Sequence, residues 1–417
     1  MKSSSGPVRQ FPLAEQARKD FAALSGDRLP DFSNTELTFR HLSDQRLLGT
    51  RRLFRLMGNP YLTRLMGSAG MRAVEWSLPG AEWMVRNTVY KQFVGGTHFE
   101  DAKESIAQLA KRGVHSILDF GAEGKETQAG MDASLDEALR ATEFGGETEA
   151  VIGSVVKLTS LFPFEILEKY NDTVIDFENL AGTDLERGMK RLDRVCRLGR
   201  DRRCEVYLDA EESWIQSAID QIAEVMMERY NGDAAIVFTT CQFYRHDRLE
   251  YLKSLHQRAR RKGYVLALKL VRGAYMNKEA KYADKRGLPT PIQPDLASTH
   301  RDFNAAAAYC LAHREEIAYC VASHNEESIT RQLTTMQQEG VARNHPNIRF
   351  SQLLGMSDNL TFNLAEGGYN VSKYMVYGPV KEVLPYLVRR AQENTSVTGE
   401  AGRELRMLDE EVSRRGL

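Results

Sequence analysis

Apolar positions along the chain follow two successive rhythms. From about Leu13 to Phe93 they recur at spacings of three and four, as in LLGTRRLFRLMGNPYLTRLMG (from Leu47) and AEWMVRNTVYKQFV (from Ala81), the pattern of amphipathic helices. This predicts a helical arm. After FVGG the rhythm changes to short, nearly continuous apolar runs rich in β-branched residues, each closed by a polar or glycine-bearing turn and followed by a helical stretch. The runs are HSILDFG (from His115), AVIGSVVKL (Ala150), CEVYLDAE (Cys204), AAIVFTT (Ala234), VLALKLVRG (Val265), AYCVASHN (Ala318), NIRFSQLLG (Asn347) and NVSKYMVYG (Asn370), eight in all. Eight such strands alternating with helices predict a parallel sheet closed into a (β/α)8 barrel, because crossover helices bury both faces of every strand. A doubly wound open sheet is the alternative, but no run is followed by a GxGxxG turn. The expected division is an arm over residues 1–95 and a barrel over 96–417 ending in a short helical tail.

Composition narrows the class of ligand. The 417 residues carry 56 Lys+Arg against 57 Asp+Glu, a net charge of -1, so no global field draws the chain to nucleic acid or anionic lipid. The ligand is expected to be local and small. Cys196, Cys204, Cys241, Cys310 and Cys320 show no CxxC spacing and no clustering with His, which argues against a zinc site or a disulfide framework and fits a reducing cytoplasm. The opening MKSSSGPVRQFPLAEQ lacks the apolar core of a signal peptide, and no window approaches the ~20 apolar residues that span a bilayer.

In a barrel the chemistry sits at the carboxyl ends of the strands, so the polar residues closing each run are the candidates. They are Asp119 with Glu123 beyond it, then Lys157, Asp209, Lys269 with Arg272, the trio Ser323, His324 and Asn325, and Tyr374. Each has a plainer reading. Asp209 in LDAEES fits a helix N-cap completed by Glu212, Lys157 and Lys269 fit rim lysines reaching for water, and a lone His324 fits a hydrogen-bonded structural histidine. What those readings leave unexplained is the convergence of so many ionisable strand ends on one mouth.

A further stretch, YLVRRAQEN (from Tyr386), places Tyr386, Arg389, Arg390 and Glu393 at spacings of three and four, able to share one helix face; a solvated helix surface is the alternative. Two guanidinium groups with one or two lysines call for an anion, and the planar fork of Arg suits a carboxylate. Asp119, Glu123 and Asp209 would offset the excess charge, with Glu123 a partner for Arg389 or Arg390 in the empty site.

These residues occur in a familiar order. KLTSL (from Lys157), LDAEES (Leu208), LKLVRGAY (Leu268), ASHN (Ala322), QLLGM (Gln352) and KYMVYGPVKEVLPYLVRRAQENTS (Lys373) resemble the proline dehydrogenase family, closest to its monofunctional, mitochondrial-like branch, from roughly Phe93 to Ser396. The resemblance implies a (β/α)8 enzyme with non-covalent FAD on the strand ends. It sets Lys269, Arg272, Gly273 and Ala274 along the flavin, where the family often has Arg in place of Lys269. His324, Asn325 and Glu393 would reach its chain or adenosine, and either Thr239 or Gln242 would contact it from the fourth strand.

For substrate, it implies Arg389 and Arg390 on the carboxylate of L-proline, Lys157 and Asp209 beside the ring, and Leu353, Tyr374 and Tyr386 as walls, with Ala274 and Glu123 close by. The bulk of Tyr374 favours proline over hydroxyproline, although RRAQENTSV also resembles the hydroxyproline branch. The implied reaction is hydride transfer from the ring carbon beside nitrogen to flavin, giving Δ1-pyrroline-5-carboxylate, with electrons passed to quinone and peripheral membrane contact by the arm or the last helix. A barrel lyase or aldolase using Lys157 or Lys269 as a Schiff base, and a non-enzymatic carboxylate-binding module, are the alternatives.

Overall fold

The computed structural model describes residues 28–58, 73–74, 76, 78–121, 127–395 and 400–417, with the side chains of 99 and 391–401 outside that description. Eight parallel strands close into a barrel in sequence order: β1 (His115–Phe120), β2 (Val151–Lys157), β3 (Glu205–Asp209), β4 (Val237–Gln242), β5 (Leu266–Val271), β6 (Ile317–Ala322), β7 (Ile348–Leu353) and β8 (Val371–Tyr377). β8 returns to β1 with Ile117 opposite Tyr374. Each expected run holds one strand. One strand outruns its apolar run, β4 continuing to Gln242, and β8 reaches Tyr377, so Tyr374 lies within its strand rather than at its end.

Strand alternation divides the side chains between two cores. Val206, Leu208, Val237, Cys241, Leu266, Leu268, Leu270, Ile348 and Phe350 face the surrounding helices. Ile117, Val155, Tyr207, Phe238, Ala267, Ala318 and Cys320 fill the barrel itself. There Tyr207 stacks on Phe238 with ring centroids 4.6 Å apart. Gly153 leaves the room, since a Cβ at that position would stand 2.8 Å from the Tyr207 ring. Lower in the lumen the buried Arg349 pairs with Glu205, which also accepts from the Tyr207 hydroxyl at 2.6 Å. The barrel is thus packed at its base and open to chemistry only above.

The arm includes helices Thr35–Phe39 and Asp44–Met57 and a kinked helical segment from Ala81 to Phe93 with non-helical dihedrals at Thr88. Its apolar stripe, with Phe39, Leu47, Phe54, Tyr90 and Phe93, joins Val383, Leu384, Tyr386 and Leu387 of helix Val380–Thr395 and Met407, Leu408 and Val412 of the last helix, Glu400–Arg415. Leu353 of β7 and Tyr374 of β8 pack against this same cluster, which lays the helix Val380–Thr395 over the barrel mouth. Arg415 fixes the far end by donating to the carbonyls of Phe39 and Leu42, both at 2.8 Å, which are acceptors near a helix terminus.

Candidate active site

The strand ends bring two buried ion pairs face to face. Lys157 Nζ donates to both carboxylate oxygens of Asp119, at 2.9 and 2.8 Å, with both side chains almost fully buried. Lys269 donates to Asp209, and the Tyr374 hydroxyl donates to the other oxygen of that carboxylate at 2.8 Å. The Lys269 ammonium lies 4.9 Å from the centre of the Tyr374 ring and 6.0 Å from that of Tyr207, within reach of both π faces. Two cations and two anions make this layer close to neutral. Burial raises the Asp119 carboxyl above its ordinary range, with Lys157 opposing, and raises the Tyr374 phenol, whose neighbours Asp119 and Asp209 push the same way; Tyr374 stays a neutral donor.

This geometry removes two of the plainer readings. Asp209 is not an N-cap: the following helix, Ser213–Tyr230, starts after Glu212, and the Asp209 oxygens are engaged inside the barrel. Lys157 and Lys269 do not reach for water, with exposures of 7% and 5%. The fourth strand corrects an expectation. Alternation turns Thr239 with Val237 and Cys241 towards the helix layer, where its Oγ1 is buried without a hydrogen-bond partner. Thr240 and Gln242 face inward instead, Thr240 donating to Leu208 O at 2.9 Å and Gln242 to Glu211 O at 2.8 Å. Both faces of a central parallel strand are buried, so Thr-Thr gives no sign of which one points in.

Around the rim, Arg272 is held by three neutral groups: Nε donates to His300 Nδ1, Nη1 to Ser323 Oγ and Nη2 to Ser328 Oγ, each at 2.7 Å. Gly273 follows at φ +127°, a conformation L side chains rarely adopt, with its α-carbon against the Tyr244 ring; Ala274 beside it is exposed. Asn325 is an N-cap: its side chain accepts from Ser328 N at 2.8 Å to start helix Glu326–Gln338. His324 donates or accepts through Nδ1 at Ser357 Oγ, 3.0 Å away. Burial and the field of Lys373, Arg390, Arg403 and Arg272 drive its pKa well down, so the imidazole is neutral.

Arg390 is 6% exposed, its guanidinium 5.2 Å from the centre of the Tyr386 ring; Arg389 is half-buried beside it. These arginines are not a solvated helix face. Glu123 and the side chain of Glu393 lie outside the described residues. Sequence reasoning missed the inward Thr240, the floor pair Glu205–Arg349, and Ser357, Arg403 and Glu404 at the rim. Continuing the inner register along β3 and β7 would have found the floor pair, whereas nothing in SDN or GREL marks the rim residues.

A family model described as proline dehydrogenase matches residues 102–403. The chain belongs to the proline dehydrogenase family. Membership makes it an oxidoreductase of that type. The chain is 30% identical over 330 residues to the carbapenem antibiotics biosynthesis protein CarD of Pectobacterium carotovorum subsp. carotovorum, covering 79% of this chain and 84% of that protein. It is 30% identical over 400 residues to hydroxyproline dehydrogenase of Xenopus laevis, covering 87% and 85%. It is 37% identical over 237 residues to mitochondrial proline dehydrogenase 1 of Drosophila melanogaster, covering 54% of this chain and 35% of that one.

Among solved structures, proline utilization A (PutA) from Bdellovibrio bacteriovorus inactivated by N-propargylglycine superposes with a TM-score of 0.69 at 19% identity, covering 93% of this chain and 41% of that one. A PutA structure with proline bound in remote sites gives 0.63 at 20% identity, covering 97% and 45%. The chain spans less than half of those proteins, and the likeness establishes the barrel fold. No helix among the described residues is long and apolar enough to cross a membrane, and no cluster of three or more His, Cys, Asp or Glu among them would hold a metal ion.

Proposed function

We propose that the protein oxidises L-proline to Δ1-pyrroline-5-carboxylate with FAD held at the barrel mouth, in the cytoplasm, and passes the electrons to a quinone at a membrane surface. The observation that carries this reading is Arg390, buried on a helix that covers the mouth, beside an aromatic wall shared by Tyr386, Tyr374 and Leu353. An apolar slot with charge at one end suits a pyrrolidine ring bearing a carboxylate.

The residues present fit a flavin dinucleotide. Arg272 stands at the rim near a neutral His324, a cation suited to a pyrophosphate, and the chain has no glycine fingerprint that would do that work elsewhere. Lys269, Arg272 and Gly273 would lie along the cofactor, with His324 and Gln242 at its edge. Bound there, FAD supplies the two-electron acceptor.

The chain's own residues bind and orient the substrate. Arg389 and Arg390 fix the carboxylate, Tyr386, Leu353 and Tyr374 confine the ring, and the two compensated ion pairs give the slot no net charge, which favours the uncharged ring nitrogen. Loss of one hydrogen from the ring carbon and one from nitrogen, with two electrons, forms the C=N bond. Holding a single orientation is the larger part of the catalytic effect.

A Schiff-base lyase is disfavoured because Lys157 and Lys269 each hold a carboxylate partner, so neither nitrogen is directed at a substrate carbonyl. Purified protein should show a flavin absorption band that bleaches anaerobically on adding proline; a band unchanged under saturating proline would refute proline oxidation. Similarity to the Xenopus hydroxyproline dehydrogenase makes hydroxyproline the second reading. Tyr374 separates the two: its ring bounds the slot and its hydroxyl is spent on Asp209. Tyr374→Ser should raise the kcat/KM ratio of hydroxyproline to proline by about tenfold, the scale of one steric contact in a pocket. An unaltered ratio would clear Tyr374 of that role.

A further inference from the structure

The last helix reaches the rim through two residues that no expectation assigned. Arg403 Nη2 donates to His324 O at 3.1 Å and to Ser357 Oγ at 3.4 Å, and its other terminal nitrogen comes within 3.8 Å of Glu326. Glu404, buried, accepts from Ser357 N at 2.7 Å. Ser357 in turn meets the His324 ring at Nδ1. These contacts close a circuit from the last helix through Ser357 to His324.

Ser357 is held in an unusual state. Its φ of +48° makes it one of two non-glycine residues at positive φ among the described residues, a conformation that persists where the surroundings enforce it. Glu404 holds its amide from one side. On the other, Lys373 ties down the neighbouring loop by donating to Met356 O at 2.6 Å and pairing with Asp358 at 2.7 Å. The last helix is itself tied to the arm through Arg51–Asp409 at 2.5 Å and Arg415–Asp44 at 2.9 Å.

The circuit has a chemical consequence. A guanidinium donates only, so the Ser357 oxygen facing Arg403 must accept there, and its single proton is directed elsewhere. The ring nitrogen Nδ1 stands 3.0 Å from that oxygen. With the imidazole neutral, a hydroxyl donating to Nδ1 leaves the ring's one proton on Nε2.

We propose that Arg403 is a positioning residue: by orienting the Ser357 hydroxyl it fixes His324 as the Nε2–H tautomer, so that the imidazole presents a hydrogen-bond donor to the cofactor. The ligand in this statement rests on the FAD reading above, and the tautomer does not. The arm thereby acquires a role at the site, since it holds the helix that carries Arg403.

The test uses full-length protein labelled with 15N-histidine, with His324 assigned by loss of its signals in His324→Gln. The wild type should show the Nε2–H tautomer. Arg403→Met and Ser357→Ala should each mix the tautomers and weaken FAD binding, followed by fluorescence quenching, by about tenfold, as when an orienting partner is removed behind a ligand-binding side chain. Arg403→Lys should restore part of both, and Arg406→Ala, an exposed change on the same helix, should alter neither. An Nδ1–H tautomer in the wild type, or unchanged tautomer or FAD affinity in both Arg403→Met and a folded Ser357→Ala, would overturn the proposal. Wild-type protein that binds no FAD at all would refute the cofactor reading and, with it, the donor role, while the ring shifts would still report the Arg403–Ser357–His324 circuit.

Discussion

Arg390→Met is expected to raise KM for proline about 100-fold while the protein still folds and retains FAD. Removing one charge-assisted contact to a carboxylate costs about 1.5–3 kcal/mol, roughly 10–150-fold in affinity, and the buried setting of Arg390 puts it at the upper end. Arg389→Met should act in the same direction by a smaller factor, because its half-buried side chain leaves water better able to replace it. Methionine keeps much of the side chain's apolar volume, so the change reports charge rather than volume. Steady-state kinetics with the flavin spectrum as a loading control decides the matter. A KM within twofold of the wild type in both variants would detach the arginines from the substrate.

The second large effect concerns the buried pairs. Lys157→Met leaves Asp119 without its cation at a site where burial already favours the protonated acid. Breaking a buried pair from one side typically costs about 3–5 kcal/mol, whereas replacing both partners with apolar groups is often near neutral. Lys157→Met alone should therefore lower the urea midpoint markedly, and Lys157→Met combined with Asp119→Leu should recover most of the loss. Activity should stay low in both variants, because the slot's charge balance and polar wall are gone. Recovery of stability together with full activity would make the pair a structural feature; a double variant as unstable as the single would show that the two residues do not act as a unit.

Much of this architecture is legible in the sequence for a simple reason. Strands of a parallel barrel are buried on both faces, so runs such as VLALKL and AYCVAS stand out as nearly unbroken apolar stretches, and glycine or polar residues mark where each stops. Ionisable residues at those stops, Asp119, Lys157, Asp209 and Lys269, are visible because a charge closing an apolar run needs a partner. Which partner each takes is not visible. Lys269 crosses to Asp209 of β3 and Tyr374 of β8 joins them, contacts set by barrel closure that link residues 165 apart in sequence.

The same double burial hides direction at Thr239 and Thr240. Ser357, a small polar residue that acts through backbone, is equally silent, since its role arises from a dihedral angle rather than from residue type. Arg403 and Glu404 belong to an amphipathic helix whose charged residues look like an ordinary solvated face until its docking site is known.

The proposed recognition of substrate turns on paired guanidinium groups meeting a carboxylate at the barrel mouth. The most direct measurement compares kcat/KM for L-proline and for L-prolinamide, which keeps the ring and nitrogen but lacks the anion, in the wild type and in the variant carrying both Arg389→Met and Arg390→Met. A strong wild-type preference for proline that collapses to near parity in the variant is the predicted result. A preference that survives loss of both arginines would contradict the account.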